Sequence, residues 1–378
     1  MDVYVWHNIP SHHSAPALRR LAEVWPGRVC WVCHQASLPE RLRMGWKAPE
    51  LGNVNLVILN GEKAKADDII ARSLQDIHIV AALERKFDTL PYAMRVLHNR
   101  GCRNLGIFAE SGDTRGVRGR LRFLLHMAKA RRYRSRVKVV LSLGSLGVEY
   151  FTRVGFDRST VFPYAYQIDD EAPEPKPPST PRDDLLPIRL IYVGQLIHLK
   201  GVDVLLKALD GICGHDWRLT VVGEGPEEGR LKRLAAAPGL EGRVQWLGSV
   251  PSEQVGGLLR QHDVCVCPSR YDGWCMVVSE ALYAGIGVIT TEAVGARDVV
   301  RASGAGRVVR PNSVSALREV LEDLLRFPER VERWKAEAER YRPRLGGRAA
   351  GDYLRQVLQC VFEETGHRPQ EPWLPNER

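Results

Sequence analysis

Short apolar runs at 3–6, 29–32, 54–59, 77–81, 105–108 and 137–141 alternate with helix-length stretches such as 17–24 and 91–99. Runs of that length suit buried strands, and their alternation with helices argues a parallel, doubly wound sheet. His78 falls mid-strand and reads as a core histidine. The alternation stops at 171–187, EAPEPKPPSTPRDDLLP, where the proline density excludes a helix or a central strand. It then restarts more regularly. Strands are expected at 189–193, 218–222, 244–247, 264–267 and 287–290, with helices at 202–209, 227–236, 252–261 and 277–284, the last closed by Gly285.

The pattern gives an α/β chain of two Rossmann-like, doubly wound parallel-sheet domains. The first spans 1–170 and the second 188–345, joined by the linker 171–187. A terminal helix within 346–366 is expected to pack back toward the first domain. The polar, proline-containing tail 367–378 is expected to be disordered. In such sheets ligands gather at the carboxyl ends of the strands.

Composition narrows the class. Hydrophobic residues make up 44% and charged residues 26%, as in soluble globular proteins, and no apolar run reaches the length of a membrane span. The start, Met1-Asp2-Val3-Tyr4-Val5-Trp6, reads as a strand rather than a basic, apolar leader, so the expected location is cytoplasmic. Cys30 and Cys33 form a lone CxxC without companion ligands, and the eight cysteines are expected to be buried, reduced thiols.

The net charge of +9 favours an anionic partner, and the excess is concentrated. From Arg115 to Lys138 there are ten Lys or Arg and no acid, with Leu121, Phe123, Leu124, Leu125 and Met127 interleaved. Such a segment suits nucleic acid, an anionic lipid surface or substrate phosphates; a solvated helix face is the plain alternative. The expectation is peripheral contact with an anionic membrane or a lipid-linked anionic acceptor, and no nucleic acid.

Four loops at strand ends of the second half carry the chemistry. The first, Gly194-Gln195-Leu196-Ile197-His198-Leu199-Lys200-Gly201, places a lysine just before a helix N-terminus, where orphan amides and the helix dipole favour phosphate. The second, Gly223-Glu224-Gly225-Pro226, is a tight turn, and the third, Gly248-Ser249-Val250-Pro251, offers backbone to a flat base. The fourth runs Pro268-Ser269-Arg270-Tyr271-Asp272-Gly273-Trp274-Cys275-Met276-Val277-Val278-Ser279-Glu280. Two carboxylates flanking the amides of a helix start suit a ligand with sugar hydroxyls at both ends and phosphates between. Each loop alone has an ordinary structural reading; four equipped together do not.

Taken in order, VGQLIHLKG, VVGEGP, VQWLGSV and PSRYDGWCMVVSEAL resemble glycosyltransferase family 4, a retaining family with the GT-B fold, over roughly 188–325. The resemblance implies a donor site made of Gly194, Gln195, Lys200, Gly223, Val250, Arg270, Asp272, Gly273, Trp274, Cys275, Met276, Val277 and Glu280. Within it Lys200 holds the diphosphate, Glu280 the ribose hydroxyls and Asp272 the transferred sugar, these three forming the catalytic set. The family usually has arginine where Gln195 stands and glutamate where Asp272 stands. Arg270 or an arginine of the first domain is the expected replacement for the missing charge. The acceptor side is expected at Ser11, His12 and His13 in the first loop, with Glu110 and Asp113 after a later strand. No equivalent of the family's histidine is evident.

These residues imply a nucleotide diphosphate sugar as donor, a glycan or lipid-linked acceptor, and no metal or other cofactor. A GT-B epimerase, an inactive nucleotide-sugar-binding protein and a nucleic-acid-binding protein are the other readings.

Overall fold

The computed structural model describes residues 1–43, 47–81, 87–170, 187–212, 214–363 and 365–374. Most of the proline-rich linker, 171–186, therefore lies outside the described residues. The first half holds β1 (Val3–His7), α1 (Ala15–Val24), β2 (Val29–Cys33), α2 (Pro39–Arg43), β3 (Asn55–Ile58), α3 (Lys63–Ser73), β4 (Ile77–Val80), α4 (Thr89–Asn99), β5 (Leu105–Ala109), α5 (Gly116–Tyr133), β6 (Val137–Leu143), α6 (Gly144–Val154) and β7 (Val161–Tyr164). The second holds β8 (Ile188–Val193), α7 (Val202–Asp210), β9 (Trp217–Val222), α8 (Glu228–Leu234), β10 (Val244–Gly248), α9 (Ser252–Leu259), β11 (Val264–Cys267), α10 (Met276–Tyr283), β12 (Gly287–Thr291), α11 (Arg297–Ser303), β13 (Gly306–Val309), α12 (Val314–Arg326), α13 (Glu329–Tyr341) and α14 (Gly347–Phe362).

Among the described residues the strands form two sheets, ordered β3-β2-β1-β4-β5-β6-β7 and β10-β9-β8-β11-β12-β13. Neighbours run parallel throughout, so helices cover the faces and the strands read as unbroken apolar runs such as Val29–Cys33 and Val264–Cys267. Strand order reverses between β1 and β4 and between β8 and β11. At such a switch point the two flanking loops splay apart and leave a crevice. The loops after β8 and β11 are the ones that carry Lys200 and Asp272.

α14 leaves the second half and packs on α1. Gly347 meets Pro16, Gly351 meets Ala17 and Arg20, Arg20 pairs with Asp352 at 3.0 Å, and the Tyr353 hydroxyl donates to Pro163 O at 2.9 Å. The tail differs from the expectation of disorder. Trp373 is buried against Tyr353 and Trp274, its carbonyl accepts the Tyr341 hydroxyl, and Arg368 donates to Ser159 O and Val161 O. Burying one tryptophan offsets the ordering of several polar residues. Of the tail, only 375–378 lie outside the described residues. His78 is a core histidine, accepting from Trp6 Nε1 at 3.1 Å, with Nε2 2.8 Å from Ser73 O. The described cysteines are free, most of them buried.

Candidate active site

Close backbone approach builds the floor of the crevice. The amide of Gly194 donates to Val222 O at 3.0 Å, and that of Gly223 donates to Gly248 O at 2.7 Å. A side chain at Gly223 would place its Cβ 2.0 Å from Gly194 O, and its φ of 125° is one that glycine alone tolerates well. The ends of β8, β9 and β10 can stack this tightly only because glycine stands at each.

Lys200 and Asp272 meet across the switch point, Nζ to Oδ2 at 2.5 Å. Burial works against the Lys200 ammonium, but its neighbours Cys275 and Asp272 outweigh that and raise its pKa. The Cys275 thiol is itself pushed well up by its contact with Cys267 and by burial. It is neutral near pH 7, so the partner that matters is the Asp272 carboxylate. Beside this pair Cys275 leads into α10, and its φ of 72° is left-handed. A non-glycine residue pays about 1 kcal/mol or more for that conformation. The turn aims the first amides of α10, at Met276 and Val277, out of the helix, where no intrahelical acceptor reaches them.

Glu280 lies four residues beyond Met276, on the same face of α10 and leaning toward its N-terminus. Its carboxylate accepts no hydrogen bond and meets no cation among the described residues, and burial raises its pKa to about 7. Half-buried and without a protein partner among the described residues, this carboxylate can take the hydroxyls of a ligand in place of water.

The first domain closes the crevice from above. Glu110, at the end of β5, takes the Tyr166 hydroxyl, and a Cβ at Gly273 would lie 2.9 Å from its Oε2. The Tyr271 hydroxyl reaches Ser111, 2.6 Å from its carbonyl and 2.9 Å from Oγ. On the far side Asp298 accepts from the Ser145 amide at 2.6 Å and hydroxyl at 2.9 Å. In the loop after β1, the Ser11 carbonyl accepts the amides of Ser14 and Ala15, while His13 stacks obliquely near Tyr166. Burial, with His12 and Arg41 adding to it, lowers the His13 pKa to about 4.

The profile of the glycosyl transferases group 1 family matches residues 182–341, the stretch that contains all four loops. Those residues belong to that family. They resemble the D-rhamnosyltransferase WbpZ of Pseudomonas aeruginosa, 32% identical over 165 residues, which is 43% of this chain and 42% of that protein. They also resemble the alpha-D-kanosaminyltransferase of Streptomyces kanamyceticus, 28% identical over 151 residues, 39% of each protein. The likeness thus spans about two fifths of the length of these curated relatives. Among solved structures, Anabaena Alr3699/HepE in complex with UDP and glucose superposes with a TM-score of 0.70 at 14% identity, over 96% of this chain and 100% of that one. The apo lipopolysaccharide outer core galactosyltransferase WaaB gives 0.67 at 16%, over 95% and 99%. The described residues have the GT-B fold.

Two expectations change, at Arg270 in this stretch and at Asp113 in the first half. Arg270 does not stand in for the arginine absent at Gln195. It is buried, and its guanidinium donates to both oxygens of Asp203 at 2.8 and 2.9 Å, to His198 O at 2.7 Å and to Asn312 at 2.9 Å. With those four bonds made, it braces the Lys200 loop instead of facing the crevice. Trp274 turns its ring into the core, bonding Ser279 through Nε1, so only its backbone borders the site. Asp113 is committed to Arg115, which holds its carboxyl below the usual range, and it caps the approach to α5. Gln195 stays exposed at the crevice rim, and Val250 is half-buried at the end of β10.

The interdomain contacts of Tyr271, Ser111, Ser145 and Asp298 have no local signature and were not foreseeable from one sequence. His7, at the end of β1, is buried, its Nε2 has no hydrogen-bond partner among the described residues, and burial lowers its pKa to about 4. Asp298→Ala removes both bonds to Ser145, so the two halves should separate more readily, as moderate polar interfaces do. Small-angle scattering of the free variant should give a larger radius of gyration than the parent, and superimposable profiles would refute this.

Proposed function

We propose that the chain is a retaining, metal-independent glycosyltransferase of the family 4 type. It moves a hexose-type sugar from a nucleotide diphosphate sugar to a hydroxyl of a glycan or lipid-linked acceptor, in cell-surface polysaccharide or lipopolysaccharide synthesis. The observation that carries this reading is the convergence of three things at the β8/β11 switch point: the Lys200–Asp272 pair, the open N-terminus of α10, and Glu280, which has no partner among the described residues. The complex of Alr3699/HepE with UDP-glucose supports a nucleotide-sugar donor, and the putative colanic acid biosynthesis glycosyltransferase WcaL of Escherichia coli supports the polysaccharide setting.

In this reading Glu280 takes the ribose hydroxyls, Val250 meets the base through its backbone, and the diphosphate lies over the amides of Cys275, Met276 and Val277. Lys200 exchanges part of its contact with Asp272 for the β-phosphate. As the bond from the sugar C1 to the phosphate oxygen breaks, negative charge grows on that phosphate. Lys200 and the helix-end amides stabilise it, each such donor being worth about 3 kcal/mol. The acceptor hydroxyl attacks from the face the phosphate leaves and gives its proton to a departing phosphate oxygen. The anomeric configuration is thereby kept. Asp272 from below and Glu110 from above hold the sugar hydroxyls.

Because fixed protein charges neutralise the phosphate, turnover should survive a chelator. Slow hydrolysis of the donor, with water as acceptor, provides an acceptor-free test by NMR. The sugar should first appear in the anomeric configuration it had in the donor, with the rate unchanged by EDTA. First release of the opposite anomer, or loss of activity restored by a divalent cation, would contradict the reading.

A further inference from the structure

Of ten large apolar residues that stand exposed among the described residues, five belong to α5: Val117 at 84%, Leu124 at 59%, Leu121 at 57%, Met127 and Leu125. Helical spacing puts Val117, Leu121, Leu124 and Leu125 on one side, as i, i+4, i+7 and i+8. The opposite side carries the only buried residues of the helix, Gly119 and Ala130, with Phe123 and His126 packed on Tyr150 of α6. So α5 seats itself on the domain through a narrow seam and turns a leucine stripe to solvent. Arg118, Arg120, Arg131 and Arg132 are exposed and flank that stripe, and Arg118, Arg120 and Arg131 pair with no carboxylate among the described residues. Between Thr114 and Lys138 the chain has no acid.

We infer that the outer face of α5 is a docking surface for an anionic lipid bilayer. The helix would lie in the interface with its leucines among the upper acyl chains and its arginines on lipid phosphates. That combination of a solvent-facing apolar stripe and one-signed flanks is what an interfacial helix requires. No helix among the described residues is long and apolar enough to cross a membrane, so the contact is peripheral. Nucleic acid would engage the arginines but leave the leucines in water. A second copy of the chain would bring the same cluster of cations against itself. The loop leading into α5 carries Glu110 and Ser111 of the cleft roof, so a docked enzyme has its cleft mouth near the bilayer. That consequence, access to a lipid-linked acceptor, rests on the glycosyltransferase reading; the docking does not.

Flotation of the full chain with vesicles tests it. Phosphatidylcholine alone should recover little protein, and vesicles with about a third phosphatidylglycerol much more, with the excess largely lost at about 1 M salt, where screening shortens to about 3 Å. Leu121→Ser with Leu124→Ser, and separately Arg120→Glu with Arg131→Glu, should each cut recovery at least about tenfold, because both the apolar and the charged contributions are needed. These positions are exposed, so unfolding temperature and nucleotide-induced stabilisation should match the parent. The inference is overturned by equal recovery on neutral and anionic vesicles, or by full recovery of the serine pair. It is overturned equally by a concentration-dependent dimer that the serine pair abolishes, or by binding to a single-stranded oligonucleotide with none to vesicles. If anionic vesicles bind but no nucleotide stabilises the protein, the docking stands and the reading of the cleft fails.

Discussion

Glu280→Gln should make the free protein more stable at pH 8 while weakening its hold on a nucleotide sugar. The carboxyl has no partner among the described residues, and its pKa is raised to about 7, above the usual glutamate value. A carboxyl whose pKa is raised by folding contributes stability that is fully present below its unfolded pKa and is lost as pH rises through the folded one. Between about pH 4.5 and 7 the parent therefore loses on the order of 2–3 kcal/mol at this one group. Glutamine carries no charge to desolvate, so the variant should unfold at higher temperature than the parent at pH 8, and the gap should close below pH 4.5. Binding runs the other way. Ribose hydroxyls donate to the ionised carboxylate in charge-assisted bonds worth about 1.5–3 kcal/mol. Affinity for the nucleotide sugar should fall at least about tenfold in Glu280→Gln and further in Glu280→Ala. The parent's affinity should itself weaken below pH 7, with proton release on binding. Calorimetry in two buffers of different ionisation enthalpy reads both. A variant no more stable at pH 8, binding as tightly as the parent, would return Glu280 to the status of an ordinary helix residue.

Lys200→Ala should cost turnover more than affinity. Its ammonium faces a charge that grows only as the donor bond breaks, so the loss falls mainly on kcat, by about 10²–10³. Asp272→Ala should also lower kcat steeply while leaving the free nucleoside diphosphate bound within a few-fold of the parent. Its contact is with the sugar, and Lys200 remains. The two variants are thus separated by the nucleotide alone: Lys200→Ala weakens it and Asp272→Ala does not. Single-turnover rates beside calorimetric titration distinguish them. Equal loss of nucleotide affinity in both would mean that the ion pair merely holds the loops together.

The parts of this site that were legible in the sequence are those set by local physics. Glycine at a strand end, lysine before a helix and two acids eight apart are constraints that act within one loop, and the alternation of strands and helices places such loops on one edge of a sheet. What failed depended on partners far along the chain. Arg270 and Asp272 sit two apart in the same loop, yet one is claimed by Asp203 and the other faces Lys200. Only the buried position of Asp203 on α7 decides between them. Asp113 is the opposite case, since its partner Arg115 is two residues away and a local turn could have been read there. Helix α13 was also open to reading, with Val331, Trp334, Ala338 and Tyr341 buried at helical spacing in a charged segment. Polar composition alone suggests a disordered tail, but the burial of Trp373 against Trp274 and Tyr353 holds it on the core. The contacts that bring Ser145 to Asp298 join residues 153 apart and leave no trace in either neighbourhood.

The proposed function requires that the ends of β8 to β11 hold a nucleotide sugar. Calorimetric titration of UDP-, GDP-, ADP- and dTDP-sugars into the full chain and into a Lys200→Ala, Glu280→Ala double variant decides this. At least one of them should bind the parent saturably and one-to-one, at micromolar or tighter affinity, and the double variant should lose that binding. No binding of any of the four, or binding that the double variant retains unchanged, would contradict it.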